Sequence, residues 1–222
     1  ILLCFLLLNI FHDNSGYFLD NCQQFCYSNF VIVQIVNKYN NSDGTNLTKN
    51  KGVVDCMRFG IKTLDEFDYR GKTVICRVDI NQPVDRATGT LRSTTRIRAC
   101  VPTIRELLDK GAHVVLLAHQ GSDIEYKNYY TLRPHCAVLE ELLGRPVQFV
   151  EDVCGPAAQE AVRSLQDGEI LLLENVRYMA EEQTLFELKL KLTHEQQAQT
   201  VVVRKLAPLA DLYICDAFAA AH

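Results

Sequence analysis

Four polar clusters in this chain each follow a short apolar run. Asp79, Asn81 and Pro83 follow residues 72–78. His119, Gln120 and Gly121 follow residues 113–118, and Glu174, Asn175 and Arg177 follow a run of Ile and Leu that ends at residue 173. Asp216 and, further on, His222 follow residues 212–215. Arg96 opens an amphipathic stretch after the first cluster. Arg, His, Asn and Asp around one crevice suit a small, multiply charged anion, because guanidinium forks pair bidentately with phosphate or carboxylate. Each residue also has an ordinary structural use. Asp79 could cap a loop, His119 could be a satisfied strand-end histidine, and Arg96 and Arg98 could be solvated helix charges. Glu174 could be an N-cap or a partner for Arg177, and Asp216 could cap the turn after the last strand. Jointly, at one edge of one sheet, they favour a site.

Other chemistries are missing. The chain contains no GxxxxGK[ST] phosphate loop, no GxGxxG after a strand and no GxSxG elbow. Asp79-Ile80-Asn81 lacks the second carboxylate of an aspartyl-phosphate site. An unrelated doubly wound hydrolase is disfavoured because no nucleophile constellation is visible.

The elements that must position these clusters can be read from periodicity. Residues 72–78, 113–118, 147–150, 169–174 and 212–215 read as strands, rich in β-branched residues or continuous in Ile and Leu. Residues 96–110 read as a helix with Ile97, Val101, Ile104 and Leu108 on one face and Gly111 as its stop. Pro102 inside it is expected to bend or shorten it. Residues 132–143, ended by Gly144, and 156–165, with Pro156 in its first turn, are further helices. Residues 185–209 are mainly helical in pattern. Such alternation, with nearly continuous apolar strands, predicts an α/β fold: a doubly wound three-layer α/β/α sandwich with a mainly parallel, Rossmann-like sheet. In such sheets ligands bind beyond the carboxyl ends of the strands, where the polar clusters fall.

Composition sets outer limits. The chain has 222 residues, 48% hydrophobic and 23% charged, with a formal charge of −4. Nothing basic enough to track nucleic acid is present. Nine cysteines are scattered, without a CxxC or a zinc-ligand spacing. Cys76, Cys100 and Cys215 sit in apolar runs, as buried thiols do, which points to a reducing, cytoplasmic setting.

The vocabulary changes near Met57. Residues 1–56 contain nine Asn and no Arg, Ala, Glu, Pro or Met, whereas residues 57–222 contain thirteen Arg and three Asn. A secretory signal would need a basic start and a small-residue cleavage site. A membrane anchor would need about 20 apolar residues, and Asn9, His12 and Asp13 end the run early. A segment translated from A/T-rich noncoding sequence would have this composition, and that reading is favoured. Residues 1–56 are therefore expected to be a poorly structured leader outside the fold, and residues 57–222 a domain.

Arg77-Val78-Asp79-Ile80-Asn81-Gln82-Pro83 resembles the phosphoglycerate kinase signature R-V-D-x-N-x-P. Thr95-Arg96-Ile97-Arg98-Ala99 with Pro102-Thr103-Ile104, Leu117-Ala118-His119-Gln120-Gly121, Leu172 to Tyr178, and Asp216-Ala217-Phe218 follow in the family's order. The resemblance runs from about Thr63 to His222 and is specific to the amino-terminal half. It implies reversible phosphoryl transfer between 1,3-bisphosphoglycerate and ADP, giving 3-phosphoglycerate and ATP in glycolysis. It assigns Asp79 and Asn81 to the hydroxyl and carboxylate end of the substrate, and His119 and Arg177 to the non-reacting phosphate. Gln120, Gly121 and Ser122 would line the same subsite, with Gly121 allowing close backbone approach. Arg96 would be catalytic, stabilising charge on the transferring group. Mg2+ with ATP or ADP would be held by a carboxy-terminal nucleotide-binding domain, with no metal or cofactor expected in this chain, and neither nucleic acid nor membrane as a partner.

The sequence departs from the family pattern in four places. Ser122 stands where an Arg is usual, with Lys127 or Arg133 as candidate substitutes. Residues 185–204 form a longer segment than is common. The usual D-A-F-G-T-A-H-R reads Asp216-Ala217-Phe218-Ala219-Ala220-Ala221-His222, and the chain is expected to stop before the nucleotide-binding half. On that reading it binds 3-phosphoglycerate weakly and does not catalyse transfer alone. The alternative is a stand-alone, non-catalytic module that binds a small phosphorylated acid.

Overall fold

The structure, a computed structural model, describes residues 32–35, 64–121, 129–182 and 193–217. Six strands form one sheet: β1 (Ile32–Ile35), β2 (Thr73–Val78), β3 (His113–Leu117), β4 (Gln148–Val150), β5 (Ile170–Leu173) and β6 (Leu212–Asp216). Their spatial order is β1-β6-β2-β3-β5-β4. β2 to β6 are mutually parallel. β1 pairs antiparallel with β6, so four residues expected to lie outside the fold sit on the sheet's edge. An open edge presents unpaired N–H and C=O groups, and the β-branched Ile-Val-Gln-Ile run suits that template.

The helices are α1 (Thr95–Asp109), α2 (Arg133–Leu143), α3 (Pro156–Ser164), α4 (His194–Ala198) and α5 (Val201–Leu206). Alternation along each strand sends side chains to two separate cores. On one face Val74, Cys76, Val114, Leu116, Leu172 and Ile214 meet Ile97, Ile104 and Leu107 of α1 and Leu139 of α2. On the other, Ile75, Val115, Leu117, Leu171, Leu173 and Tyr213 meet Ala158 and Val162 of α3 and Val202, Val203 and Leu206 of α5. This is the expected three-layer sandwich. Ile104 is fully buried, so truncating it to Ala removes about 2–5 kcal/mol of stability.

Local signals place the element ends. Gly144 closes α2 in the left-handed conformation, with φ 70°. Pro156 occupies the first turn of α3, where its missing N–H is harmless. Pro102 does not shorten α1, which runs continuously from Thr95 to Asp109. The carbonyl that Pro102 leaves without its helical donor belongs to Arg98, and both residues are exposed, so water can replace the bond. Within residues 185–209, those described form α4, α5 and a final 3-10 turn, Ala207–Leu209, while 185–192 lie outside the described residues.

Candidate anion-binding site

Register brings the polar clusters together. Arg77 of β2 pairs with Leu117 of β3 and with Cys215 of β6. Asp79 and His119, each two residues further on, therefore leave the sheet at the same level, next to Asp216. Leu116 pairs with Leu172, which brings the segment from Glu174 to Arg177 to the same edge.

The contacts follow from this placement. The Arg96 guanidinium, on the first turn of α1, donates to Asp79 Oδ2 at 2.7 Å. Asp79 Oδ1 also accepts the Asn81 backbone N–H at 3.2 Å, which closes the turn after β2. Asn81 Oδ1 accepts the Gly121 N–H at 3.2 Å, and Asn81 Nδ2 faces His119 Nε2 at 3.4 Å. Since Asn81 Nδ2 can only donate, His119 Nε2 accepts, and the ring proton sits on Nδ1. Burial, assisted by the Arg77 and Arg177 guanidinium charges, lowers the His119 pKa to about 3. His119 is thus a neutral imidazole at pH 7, and the positive field at this edge comes from the arginines. Gly121 has φ 107°, a conformation that any Cβ would strain, so glycine is required there. Asp216, at the end of β6, is pushed up by burial against an opposing hydrogen bond with Thr103.

Arg77 is buried in mid-sheet, where a lone charge would be costly. It donates to Glu182 at 2.6 Å, and Glu182 is itself nearly buried. Burial alone would raise the Glu182 pKa, but the Arg77 charge overrides it and holds the carboxyl down at about 2. The neighbouring Glu181 accepts the first backbone N–H groups of α5, including Val201 at 2.7 Å. These adjacent glutamates pin the segment after β5 to both the sheet and a helix.

Of the residues expected at the site, Asp79, Asn81, Arg96, His119, Gly121 and Arg177 share this edge. Ser122 lies outside the described residues, as do Lys127, Phe218 and His222. Gln120 is placed differently from its expectation as a ligand residue. It is buried, and its side-chain amide is turned inward onto the backbone of Gln82 and the ring of His135. Its side chain packs between the loop after β2 and α2, where these two partners are within hydrogen-bond reach. Arg133, a candidate substitute for the usual Arg at position 122, instead donates to Glu151 at 2.6 Å and lies over the Phe149 ring. Glu174 serves as a cap: its carboxylate accepts the Leu132 and Asn175 N–H groups and the Thr131 hydroxyl. The sequence pattern assigned no role to Gln82, His135 or Glu182. A charge in mid-strand, Arg77, was the available signal that an acidic partner had to exist.

The family profile described as phosphoglycerate kinase matches residues 64–222. This chain belongs to the phosphoglycerate kinase family. It is 51% identical over 164 residues to the phosphoglycerate kinase of Methanothermobacter thermautotrophicus, covering 74% of this chain and 38% of that protein. It is 46% identical over 162 residues to that of Sulfurisphaera tokodaii, covering 73% and 37%. The crystal structure of the Pyrococcus horikoshii phosphoglycerate kinase superposes with a TM-score of 0.59 at 37% identity, covering 66% of this chain and 34% of that one. The chain thus spans under two fifths of the length of the curated relatives it matches.

Cys76, Cys100, Cys136, Cys154 and Cys215 are all free and buried, as expected for those in apolar runs. Among the described residues, no helix is long and apolar enough to cross a membrane.

Proposed function

We propose that this chain supplies the glycerate-binding half of a phosphoglycerate kinase, which moves a phosphoryl group between 1,3-bisphosphoglycerate and ADP. The observation that carries the reading is the convergence of Asp79, Asn81, Arg96, His119 and Arg177 at one edge of a parallel sheet, within the segment that matches the family. Three roles follow from the chemistry of these groups. Asp79 and Asn81 accept from and donate to the hydroxyl and carboxylate of the glycerate. Arg177 and the neutral His119 hold the non-reacting phosphate, one by charge and one by a hydrogen bond, while Gly121 lets the backbone approach. Arg96, the most solvent-facing cation of the set, neutralises charge on the group in transfer. Phosphoryl transfer has little covalent work for the protein, so positioning and fixed cations carry most of the catalysis. Ser122 leaves the phosphate subsite with one cation fewer than is usual in the family.

Mg2+ with ATP or ADP is the co-substrate in this reading. Among the described residues no group of three or more His, Cys, Asp or Glu could hold a metal, and the edge is dominated by cationic and amide groups. These residues suit a phosphorylated acid, and in this reading the nucleotide would be held by a carboxy-terminal domain. Free buried thiols favour a cytoplasmic setting.

The test is a titration of the purified chain with 3-phosphoglycerate, followed by backbone amide shifts, beside a coupled assay with ATP. Shifts confined to residues 79–81, 96–97, 119–121 and 177, with no turnover, are expected. Saturable shifts elsewhere, or none up to millimolar ligand, would overturn the assignment of the subsite. Turnover above background would show that the chain needs no other domain.

A further inference from the structure

Two buried amides and a buried imidazole lie behind the anion-facing residues, and none of the three side chains is among those assigned to substrate above. Gln120 Oε1 accepts the Gln82 backbone N–H at 3.0 Å, and Gln120 Nε2 donates to the Gln82 carbonyl at 2.7 Å. One side chain thus pairs with the loop after β2 as a neighbouring strand would. The same Gln120 oxygen faces His135 Nε2 of α2 at 2.9 Å. A carbonyl oxygen only accepts, so the His135 proton is on Nε2. On the other side, the Gln82 amide oxygen faces α1. It accepts the N–H groups of Arg96 at 2.7 Å and Ile97 at 3.3 Å, in the one amide orientation that satisfies both. Thr94 makes no side-chain cap for this helix, so Gln82 does that work from a distant loop. The Gln120 backbone is clamped in turn by Asn175, whose Oδ1 accepts its N–H and whose Nδ2 donates to its C=O. Asn175 Oδ1 also accepts the Arg177 N–H.

We propose that Gln82, Gln120 and His135 are positioning residues: an unbroken buried relay from α2 to the first turn of α1 that sets where Arg96 stands relative to the His119 loop. None of the three touches the anion in the reading given above, on which the functional arm of this inference rests. Arg96 is half exposed and, among the described residues, held at its tip by Asp79 alone, so the position of its Cα depends on how the first turn is anchored. In a buried, low-dielectric setting each such bond resists displacement strongly, and a half-satisfied network is worse than none. The relay is therefore a specific device for precision at a site where misplacement is costly.

Amide hydrogen exchange on the apo chain is the deciding measurement, since it needs no ligand. Gln120→Met keeps length and volume but removes both amide functions. It is expected to raise exchange at the Arg96 and Ile97 amides about tenfold or more, while the Val115 amide in the centre of the sheet keeps its protection. Gln82→Met removes only the cap and should act on Arg96 and Ile97 alone. His135→Leu should reproduce the Gln120→Met pattern, and His135→Gln, which restores a long-armed N–H donor, should rescue it. Equal loss of protection at Val115, or no change at Arg96 and Ile97, overturns the proposal. In parallel, Gln120→Met should weaken 3-phosphoglycerate binding about tenfold relative to the unsubstituted chain. If the unsubstituted chain binds no 3-phosphoglycerate, the functional reading fails while the exchange pattern still decides the relay.

Discussion

The Arg96 guanidinium lies 2.7 Å from the Asp79 carboxylate, so the cation proposed to face the anion is held by an acid from the opposite wall. α1 supplies one partner and the turn after β2 the other, which makes this pair a bridge across the mouth of the site. Its exposed side keeps it cheap to open, because water can solvate the guanidinium as it leaves.

Arg96→Ala and Asp79→Asn should accordingly change folding stability by no more than about 1 kcal/mol, as exposed ion pairs usually do. Both should weaken 3-phosphoglycerate binding by about tenfold or more, since on the proposed function each removes a charged or hydrogen-bonding contact to the anion. Urea unfolding and calorimetric titration of the two variants check the contrast.

The buried pair of Arg77 and Glu182 should behave in the opposite way. Glu182→Leu removes the carboxylate 2.6 Å from the buried Arg77 guanidinium, and the expected loss is about 3–5 kcal/mol. Combining it with Arg77→Met removes the buried guanidinium as well and should recover much of that loss. A double-mutant cycle in urea measures both steps.

Acid should destabilise the fold through its histidines. His119 is lowered to about 3 and His135 to about 4, in both cases chiefly by burial. The unfolded chain, with ordinary histidines near 6.5, then binds more protons than the folded one, so stability falls as pH drops below about 6.5. Each histidine contributes a slope of up to about 1.4 kcal/mol per pH unit until its own folded value is reached. Glu182, held down at about 2, adds a loss of the same sign below its ordinary value of 4.5. Urea midpoints between pH 7 and 4 should show the slope, and His135→Gln should flatten it by one proton.

Glu174→Ala should cost about 2 kcal/mol, because it leaves the Leu132 and Asn175 N–H groups and the Thr131 hydroxyl without their acceptor. Fraying is expected at the start of α2, and hydrogen exchange at Leu132 reads it directly.

Burial pushes the Cys100 thiol up to about 12, and those of Cys136 and Cys154 to about 11. Only the thiolate is nucleophilic, so at pH 8 these three should alkylate more than about a hundredfold slower than in the unfolded chain. Peptide mapping after native and denatured labelling gives the ratio.

The sequence by itself determined the strand and helix pattern, the parallel sheet, and the gathering of Asp79, Asn81, Arg96, His119, Gly121 and Arg177 at one sheet edge. Those follow from local causes: hydrophobic period, Gly and Pro stops, and the rule that polar residues after parallel strands meet at one edge. Only the tertiary structure decided that the Gln120 amide turns onto the Gln82 backbone and the His135 ring, and that Gln82 reaches the first turn of α1 from another loop. It alone found Glu182 for Arg77 and antiparallel pairing for Ile32–Ile35. These depend on contacts between residues far apart in the chain, and no local pattern encodes the partner of a buried amide or charge. Whether such a group faces the ligand or the core turns on the register of neighbouring strands, where one residue's shift reverses the answer.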